Sequence, residues 1–109
     1  MPHENVFVRG QGLQNGWKDV LAAFAEDIVL PRIQNSTALG VWLGDEICCH
    51  NSSCWHDQLY PLSAHLRALL GSDALLYTNE CGDSIAGDAR SGPPLDRIAP
   101  DLDLLSIDI

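Results

Sequence analysis

The sequence is poor in basic residues, with six lysines and arginines against fifteen aspartates and glutamates, and its formal net charge is −9. Surfaces that bind nucleic acid or anionic lipid use clustered basic side chains, so this composition argues against both kinds of partner. No apolar run approaches the roughly 20 residues needed to span a bilayer. The start, Met1 to Asn5, also lacks the basic and apolar regions of a signal peptide.

Two common catalytic motifs are missing as well. The segment 40–44 begins and ends with glycine, but it lies within a predicted strand and no lysine follows it, so it is not a phosphate-binding loop. A Gly-x-Ser-x-Gly nucleophile elbow is also absent. The sequence therefore predicts no cofactor and no serine-hydrolase mechanism.

Three short apolar runs, each ending at acidic residues, are the main signal in the chain. Runs of this length and composition are typical of buried strands. The first ends at Asp45-Glu46, the second at Asn79-Glu80 and the third at Asp108. An acid just past a strand can also cap a helix or face solvent, but three at corresponding positions favour a shared site.

Apolar residues recur at helical spacing before the first run and between the first and second runs. The spacing predicts one helix from Trp17 to about Ile33, and a second from an N-cap at Asp57 to about Leu70. Alternation of helices and strands with short connections indicates βαβ units and a parallel sheet.

The length of 109 residues allows one domain. A closed (β/α)8 barrel needs roughly 250 residues, so the three or four strands here cannot close one. We therefore predict an α/β fold in which residues 1–109 form a single incomplete domain, a fragment of a TIM barrel within a longer chain. A small open α/β sheet is the alternative.

Parallel strands present their carboxyl ends at one edge of a sheet, which would bring Glu46, Glu80 and Asp108 together. Carboxylates within roughly 5–10 Å of one another suit glycoside hydrolysis, in which one acid protonates the leaving oxygen and another acts as nucleophile or base. Close like charges and partial burial separate their pKa values and make this division possible.

These strand ends resemble consecutive strand ends of the glycoside hydrolase TIM-barrel superfamily. The resemblance covers about residues 17–109 and is carried by Leu39-Gly40-Val41-Trp42-Leu43-Gly44-Asp45-Glu46, Tyr77-Thr78-Asn79-Glu80 and Leu105-Ser106-Ile107-Asp108. The Asn79-Glu80 pair is similar to the Asn-Glu of many retaining members, although Cys81 replaces the usual proline after it.

The resemblance implies a role for each strand-end residue. Glu80 would be the proton donor, Asn79 would hydrogen-bond the sugar 2-hydroxyl, and Glu46 would be the second catalytic or a substrate-binding acid. Asp45 and Asp108 would contact substrate as well. The substrate partner would be a carbohydrate, and the rest of the barrel would be a structural partner.

Aromatic side chains near these acids offer stacking surfaces for a pyranose ring. Trp55 and Tyr77 are the candidates, whereas Trp42 lies within the first strand and is predicted to be part of the core. A carbohydrate-binding or interaction fragment without catalysis is the alternative function, because strand-end acids can serve only as hydrogen-bond acceptors.

Three of the four cysteines fall between positions 48 and 54, and the fourth is Cys81. A loop disulfide from Cys48 or Cys49 to Cys54, with the remaining cysteine reaching Cys81, is one interpretation. Free buried thiols and a zinc site with the neighbouring histidines are the others, although the spacing matches no usual zinc motif, so no metal site is predicted. A small metal-binding α/β module that uses this loop is the third alternative function.

The cysteines favour an oxidising compartment, as do sequons at Asn35 and Asn51. Glycosylation there and an extracellular or secretory location are predicted. A chain that begins inside a longer secreted protein would reconcile this with the missing signal peptide.

Overall fold

The computed structural model describes residues 3–8, 11–45, 48, 54–81 and 99–108, although the side chains of residues 3, 4, 55, 56, 107 and 108 are not described. Its largest sheet has three strands in the order β3-β4-β5, with bounds Gly40–Asp45, Leu75–Cys81 and Leu104–Asp108. Both pairings are parallel. The predicted α/β class and parallel strands are therefore confirmed.

One long helical segment precedes β3, and a second connects β3 to β4. The first contains α2 (Trp17–Phe24), a π-helical turn (Ala25–Val29) and α3 (Leu30–Gln34). It agrees with the predicted helix from Trp17 to about Ile33.

The second helical segment has a π-helical turn (Trp55–Leu59) followed by α4 (Tyr60–Leu70). The predicted N-cap at Asp57 is wrong, because Asp57 lies inside the π-helical turn. The predicted end is confirmed, since Gly71 is the C-cap with a φ of 81°. A left-handed residue after a helix is the position where glycine is most easily accommodated.

The N-terminal part is a short helical turn, α1 (His3–Val6), and a small antiparallel hairpin of β1 (Phe7–Val8) and β2 (Gly12–Leu13). The hairpin is tied to the second helical segment, because the Leu13 amide donates to Oε1 of Gln58 at 2.7 Å.

The hydrophobic core covers one face of the three-stranded sheet. Val41, Leu43 and Leu76 belong to a single buried cluster with leucines of α4. Side chains alternate between the two faces of a strand, and here the alternate residues remain accessible. The other face carries Trp42, which is 50% exposed, with Leu75 and Leu104 at 40% and 53%. The prediction that Trp42 is a core residue is therefore wrong.

Arg67 of α4 joins the amino-terminal ends of the strands. Its guanidinium donates to the carbonyl oxygens of Ala74 at 2.6 Å and Asp101 at 2.9 Å, and it pairs with the carboxylate of Asp103 at 2.5 Å. The same Asp103 oxygen accepts the amide of Leu76 at 2.8 Å. These bonds hold the residues just before β5 against the start of β4. They therefore fix the register between the two strands, which decides which residues lie side by side at the carboxyl ends.

Candidate functional site

The carboxyl ends of β3 and β4 bring Asp45 and Asn79 together. Nδ2 of Asn79 donates to Oδ1 of Asp45 at 2.5 Å, and Asp45 is exposed. A β-bulge makes this contact possible. Trp42 pairs with Tyr77, but the next pair is Asp45 with Asn79, so β3 advances three residues while β4 advances two. One extra residue in β3 re-aims its last side chain, as bulges commonly do near functional sites.

Glu80 follows Asn79 and is fully buried, with no exposed surface. Its Oε2 accepts the backbone amide of Cys48 at 2.9 Å, and its Oε1 lies 3.3 Å from Oγ1 of Thr78. Buried carboxyl groups need such partners, because transfer out of water without them is costly. The carboxyl group is therefore held in one orientation by a neighbouring hydroxyl and a distant backbone amide.

The Thr78 hydroxyl also lies 3.2 Å from the carbonyl oxygen of Gly44. A hydroxyl has one hydrogen, and a carbonyl oxygen can only accept. An ionised Glu80 would share that hydrogen with Gly44, whereas a protonated Glu80 would donate to Thr78 while Thr78 donates to Gly44. The arrangement has partners for both protonation states, which is what a general acid/base needs.

The predicted site residues of β4 fall into two groups. Thr78 and Glu80 are buried, whereas Tyr77 and Asn79 are partly accessible, which places the pairs on opposite faces of the strand. Tyr77 lines a shallow groove on the open face with Trp42 and Leu104. The structure thus brings Asn79 to Asp45 and Glu80 to Thr78, in separate clusters.

Several predicted site residues, or their side chains, lie outside the described parts of the chain. Glu46, Cys49 and Asn51 lie outside the described residues. For Trp55 and Asp108 only the backbone is described: Trp55 begins the π-helical turn, and Asp108 pairs with Cys81. Their roles stay predictions.

Asn35, the other predicted glycosylation site, is exposed after α3. Its Oδ1 accepts the amide and the hydroxyl of Thr37 at 3.1 and 2.6 Å. Thr37 is the third residue of the sequon, so the motif forms its own local turn. Glycosylation itself stays a prediction.

The predicted loop disulfide is present between Cys48 and Cys54, whose Cα atoms are 5.3 Å apart. Cys81 is also disulfide-bonded, and none of the cysteines in the described ranges is free. Free thiols and metal ligation are thereby excluded for these three residues. Within the part of the chain that can be placed, no group of three or more histidine, cysteine or acidic side chains could hold a metal ion.

The disulfide is compatible with an extracellular location. Among the residues that the structure describes, no helix is long and apolar enough to cross a membrane.

Sequence reasoning missed the Thr78 hydroxyl and the Cys48 amide as groups that hold Glu80. Thr78 had a detectable signal, because residues two apart on a strand share a face. The Cys48 amide had none, since it lies 32 residues away and donates through its backbone.

Comparisons of the chain with family models, with curated proteins and with solved structures found no match.

Proposed function

We propose that the chain is part of a (β/α) barrel of the glycoside hydrolase type and takes part in hydrolysis of a glycosidic bond. The observation that carries the proposal is the position of Glu80 at the carboxyl end of a parallel strand. Its carboxyl group is held by the Cys48 amide and the Thr78 hydroxyl. In this proposal Glu80 is the general acid/base, and its partner is Glu46.

The exposed carboxylate of Asp45 and the amide of Asn79 would hydrogen-bond sugar hydroxyls. Asp108 would contact the substrate from β5, and Trp55 and Tyr77 would stack on its apolar face. Carboxylates and amides at strand ends suit this use, because they accept or donate several hydrogen bonds in fixed directions.

The open face of the sheet supports the barrel part of the proposal. Three large apolar side chains, Trp42, Leu75 and Leu104, are between 40% and 53% exposed on it. Parallel sheets are normally covered on both faces. Further strand–helix units would cover this face, so the proposed structural partner is the remainder of the barrel.

A panel of aryl glycosides tests the catalytic role. Turnover by the chain, in the longest natural form that contains it, should fall by about 10²–10⁴-fold in Glu80→Gln and in Glu46→Gln. Glu26→Gln is the matched control, since Glu26 is exposed on the first helical segment. Turnover unchanged in both Glu80→Gln and Glu46→Gln would refute the assignment.

The complete burial of Glu80 favours a second candidate, carbohydrate binding without cleavage. In that case Asp45 and Asn79 would be the described strand-end side chains that reach the ligand. Oligosaccharide titration followed by amide chemical shifts separates the two functions. Binding that is weakened by Asp45→Ala and unaffected by Glu80→Gln, with no turnover, would favour the non-catalytic function.

A secretory location completes the proposal, supported by the disulfide between Cys48 and Cys54. Expression in a secreting eukaryotic cell should then give glycosylated protein. A mass loss after enzymatic removal of N-glycans, absent when Asn35 and Asn51 are both replaced by Gln, is the expected result.

A further inference from the structure

The side chains on the open face of the sheet form rows that cross its strands. Residues paired across parallel strands point to the same side, so each set of paired residues on this face is one row. Trp42 pairs with Tyr77, and Tyr77 pairs with Leu104, which gives an apolar row across all three strands. We call it the aromatic row. Trp42 and Leu104 are exposed and Tyr77 is partly accessible, so solvent reaches two aromatic rings on neighbouring strands, whose backbones lie roughly 4.8 Å apart.

The next row towards the carboxyl ends is polar. Asp45 pairs with Asn79, and Asn79 pairs with Ser106. This polar row lies two residues beyond the aromatic row on β4, a distance of roughly 6.6 Å. Its side chains supply a carboxylate, an amide and a hydroxyl, which together donate and accept hydrogen bonds. Among the described side chains of the two rows Asp45 carries the only charge, although the chain has a net charge of −9.

The groove along the aromatic row is shallow. Its volume is about 190 Å³, and its lining continues past the aromatic row to Leu75 and Gly40. Sites that enclose a small molecule are larger, at roughly 300–1,000 Å³. A ligand would therefore rest one of its faces on this surface and leave the other face in solvent.

We propose that the aromatic row and the polar row bind a neutral chain of pyranose sugars, with one sugar ring lying flat on Trp42 and Tyr77. A pyranose with equatorial hydroxyls has a face of axial C–H groups and a rim of hydroxyls. The C–H face packs on the indole and phenol rings, and the rim hydroxyls hydrogen-bond Asn79 and Asp45. The inference rests on the second proposed function, carbohydrate binding without cleavage, and it adds the surface and the class of sugar.

The position of the two rows favours a sugar over other ligands. A purely apolar molecule would use the aromatic row and leave the polar row unpaired, and a cationic partner would find one carboxylate that Asn79 already hydrogen-bonds. A pyranose uses both rows at once. Glu80 lies on the opposite face of β4 and has no exposed surface, so binding on the open face does not depend on it.

Titration with β-1,4-linked tetrasaccharides of glucose, xylose and mannose, followed by amide chemical shifts, tests the surface in the longest natural form that contains the chain. Trp42→Leu keeps an apolar side chain and removes the flat ring, whereas Trp42→Tyr is the matched control that keeps a ring. Trp42→Leu should weaken binding of the tightest tetrasaccharide by at least about 3–10-fold. Trp42→Tyr should stay within about twofold of the unsubstituted chain, and Glu80→Gln should bind equally well.

Equal affinities of Trp42→Leu and Trp42→Tyr would overturn the proposal, and this is the result expected if further strand–helix units cover the face instead. The proposed role of the strand ends has a separate outcome. Binding that is weakened by Asp45→Ala but not by Trp42→Leu would retain sugar recognition at the strand ends and remove the aromatic row from it. Binding of no tetrasaccharide would remove both.

A second measurement uses the unsubstituted chain and so does not depend on how a variant folds. In the complex with the tightest tetrasaccharide, nuclear Overhauser effects should connect axial C–H protons of the sugar with ring protons of Trp42 and Tyr77. Because these effects require close approach, they report the stacked geometry directly. A complex that shifts the amide signals of Asn79 without any such effect at either ring would overturn the proposal.

Discussion

Replacement of Arg67 by Met should destabilise the chain more than its partial exposure suggests. The guanidinium donates to three carbonyl oxygens, those of Gly71, Ala74 and Asp101, at 3.0, 2.6 and 2.9 Å. It also pairs with the carboxylate of Asp103. Met keeps the apolar stem of the side chain and removes all four interactions. The turn after α4 and the approach to β5 would then lose their common donor.

The magnitude follows from the exposure of each partner. The side chains of Arg67 and Asp103 are 20% and 35% exposed, so their ion pair is worth about 0–1 kcal/mol. Each bond to a part-buried carbonyl contributes about 1 kcal/mol, and the exposed carbonyl of Gly71 can be hydrated instead. We therefore expect Arg67→Met to lower the free energy of unfolding by about 2–3 kcal/mol, or the melting temperature by roughly 10 °C.

Urea unfolding followed by circular dichroism measures this difference. The matched control is Arg32→Met, because Arg32 is exposed on α3 and its guanidinium makes no described hydrogen bond or ion pair. The control should change stability by less than about 0.5 kcal/mol. An Arg67→Met variant that unfolds at the same urea concentration as the control would refute the reasoning.

The same cluster has a pH signature. The pKa of Asp103 lies below the ordinary value of 3.8, first because the Leu76 amide hydrogen-bonds its carboxylate and then because Arg67 does. A lowered pKa means that the stabilisation is fully present above pH 3.8 and is lost as the pH falls through the lowered value. Asp103→Asn should abolish this acid-dependent loss. If Asp103→Asn and the unsubstituted chain lose stability equally between pH 5 and 2, the role of Asp103 in this loss is contradicted.

Two substitutions in the sheet give further tests. Gly40→Ala should cost at least about 1–3 kcal/mol of unfolding free energy, because an added Cβ would lie 1.9 Å from the carbonyl oxygen of Leu75. Gly16→Ala is its control, since Gly16 has a φ of 75° but open space around it and should cost only about 1 kcal/mol. Equal losses would argue against close packing at Gly40. Thr78→Val should cost about 1–3 kcal/mol of unfolding free energy, because it removes a hydroxyl partner of Glu80. Thr78→Ser keeps the hydroxyl and should cost less. A Thr78→Ser variant that melts at a lower temperature than Thr78→Val would contradict this role of the hydroxyl.

The strands were predictable because the local sequence of each one favours the strand conformation that it adopts. Short apolar runs that are rich in leucine and bounded by polar residues favour buried strands. The parallel arrangement followed from the alternation of helices and strands along the chain. The error at Trp42 has a physical cause. A continuous apolar run predicts burial on both faces, and among the described residues only one face is covered.

The start of the second helical segment was not predictable. Leucines at positions 59, 62, 66 and 70 keep a helical spacing that fits several starting points upstream. Asp57 is a good N-cap residue by type, but the helix already includes it in a π-helical turn. Pro61 is the second residue of α4, which follows this π-helical turn directly.

The residues at the described strand ends could be selected from the sequence, but the contacts between their side chains could not. Asn79 and Glu80 were found because polar residues that end an apolar strand are conspicuous. The bulge that sets Asp45 against Asn79 depends on pairing between strands, which no local pattern encodes. The contact between Glu80 and the Cys48 amide depends on a disulfide and on packing of a distant helix.

The two clusters on β4 make different demands on a ligand. Asp45 and Asn79 can be reached as the molecule stands, whereas Glu80 has no exposed surface. A general acid must come within hydrogen-bond distance of the leaving oxygen, so hydrolysis requires that Glu80 be uncovered. If Glu80 is the acid, Glu80→Gln should lose turnover of an aryl glycoside while sugar binding at Asp45 is kept. Turnover retained by Glu80→Gln would mean that the acid lies elsewhere at this edge.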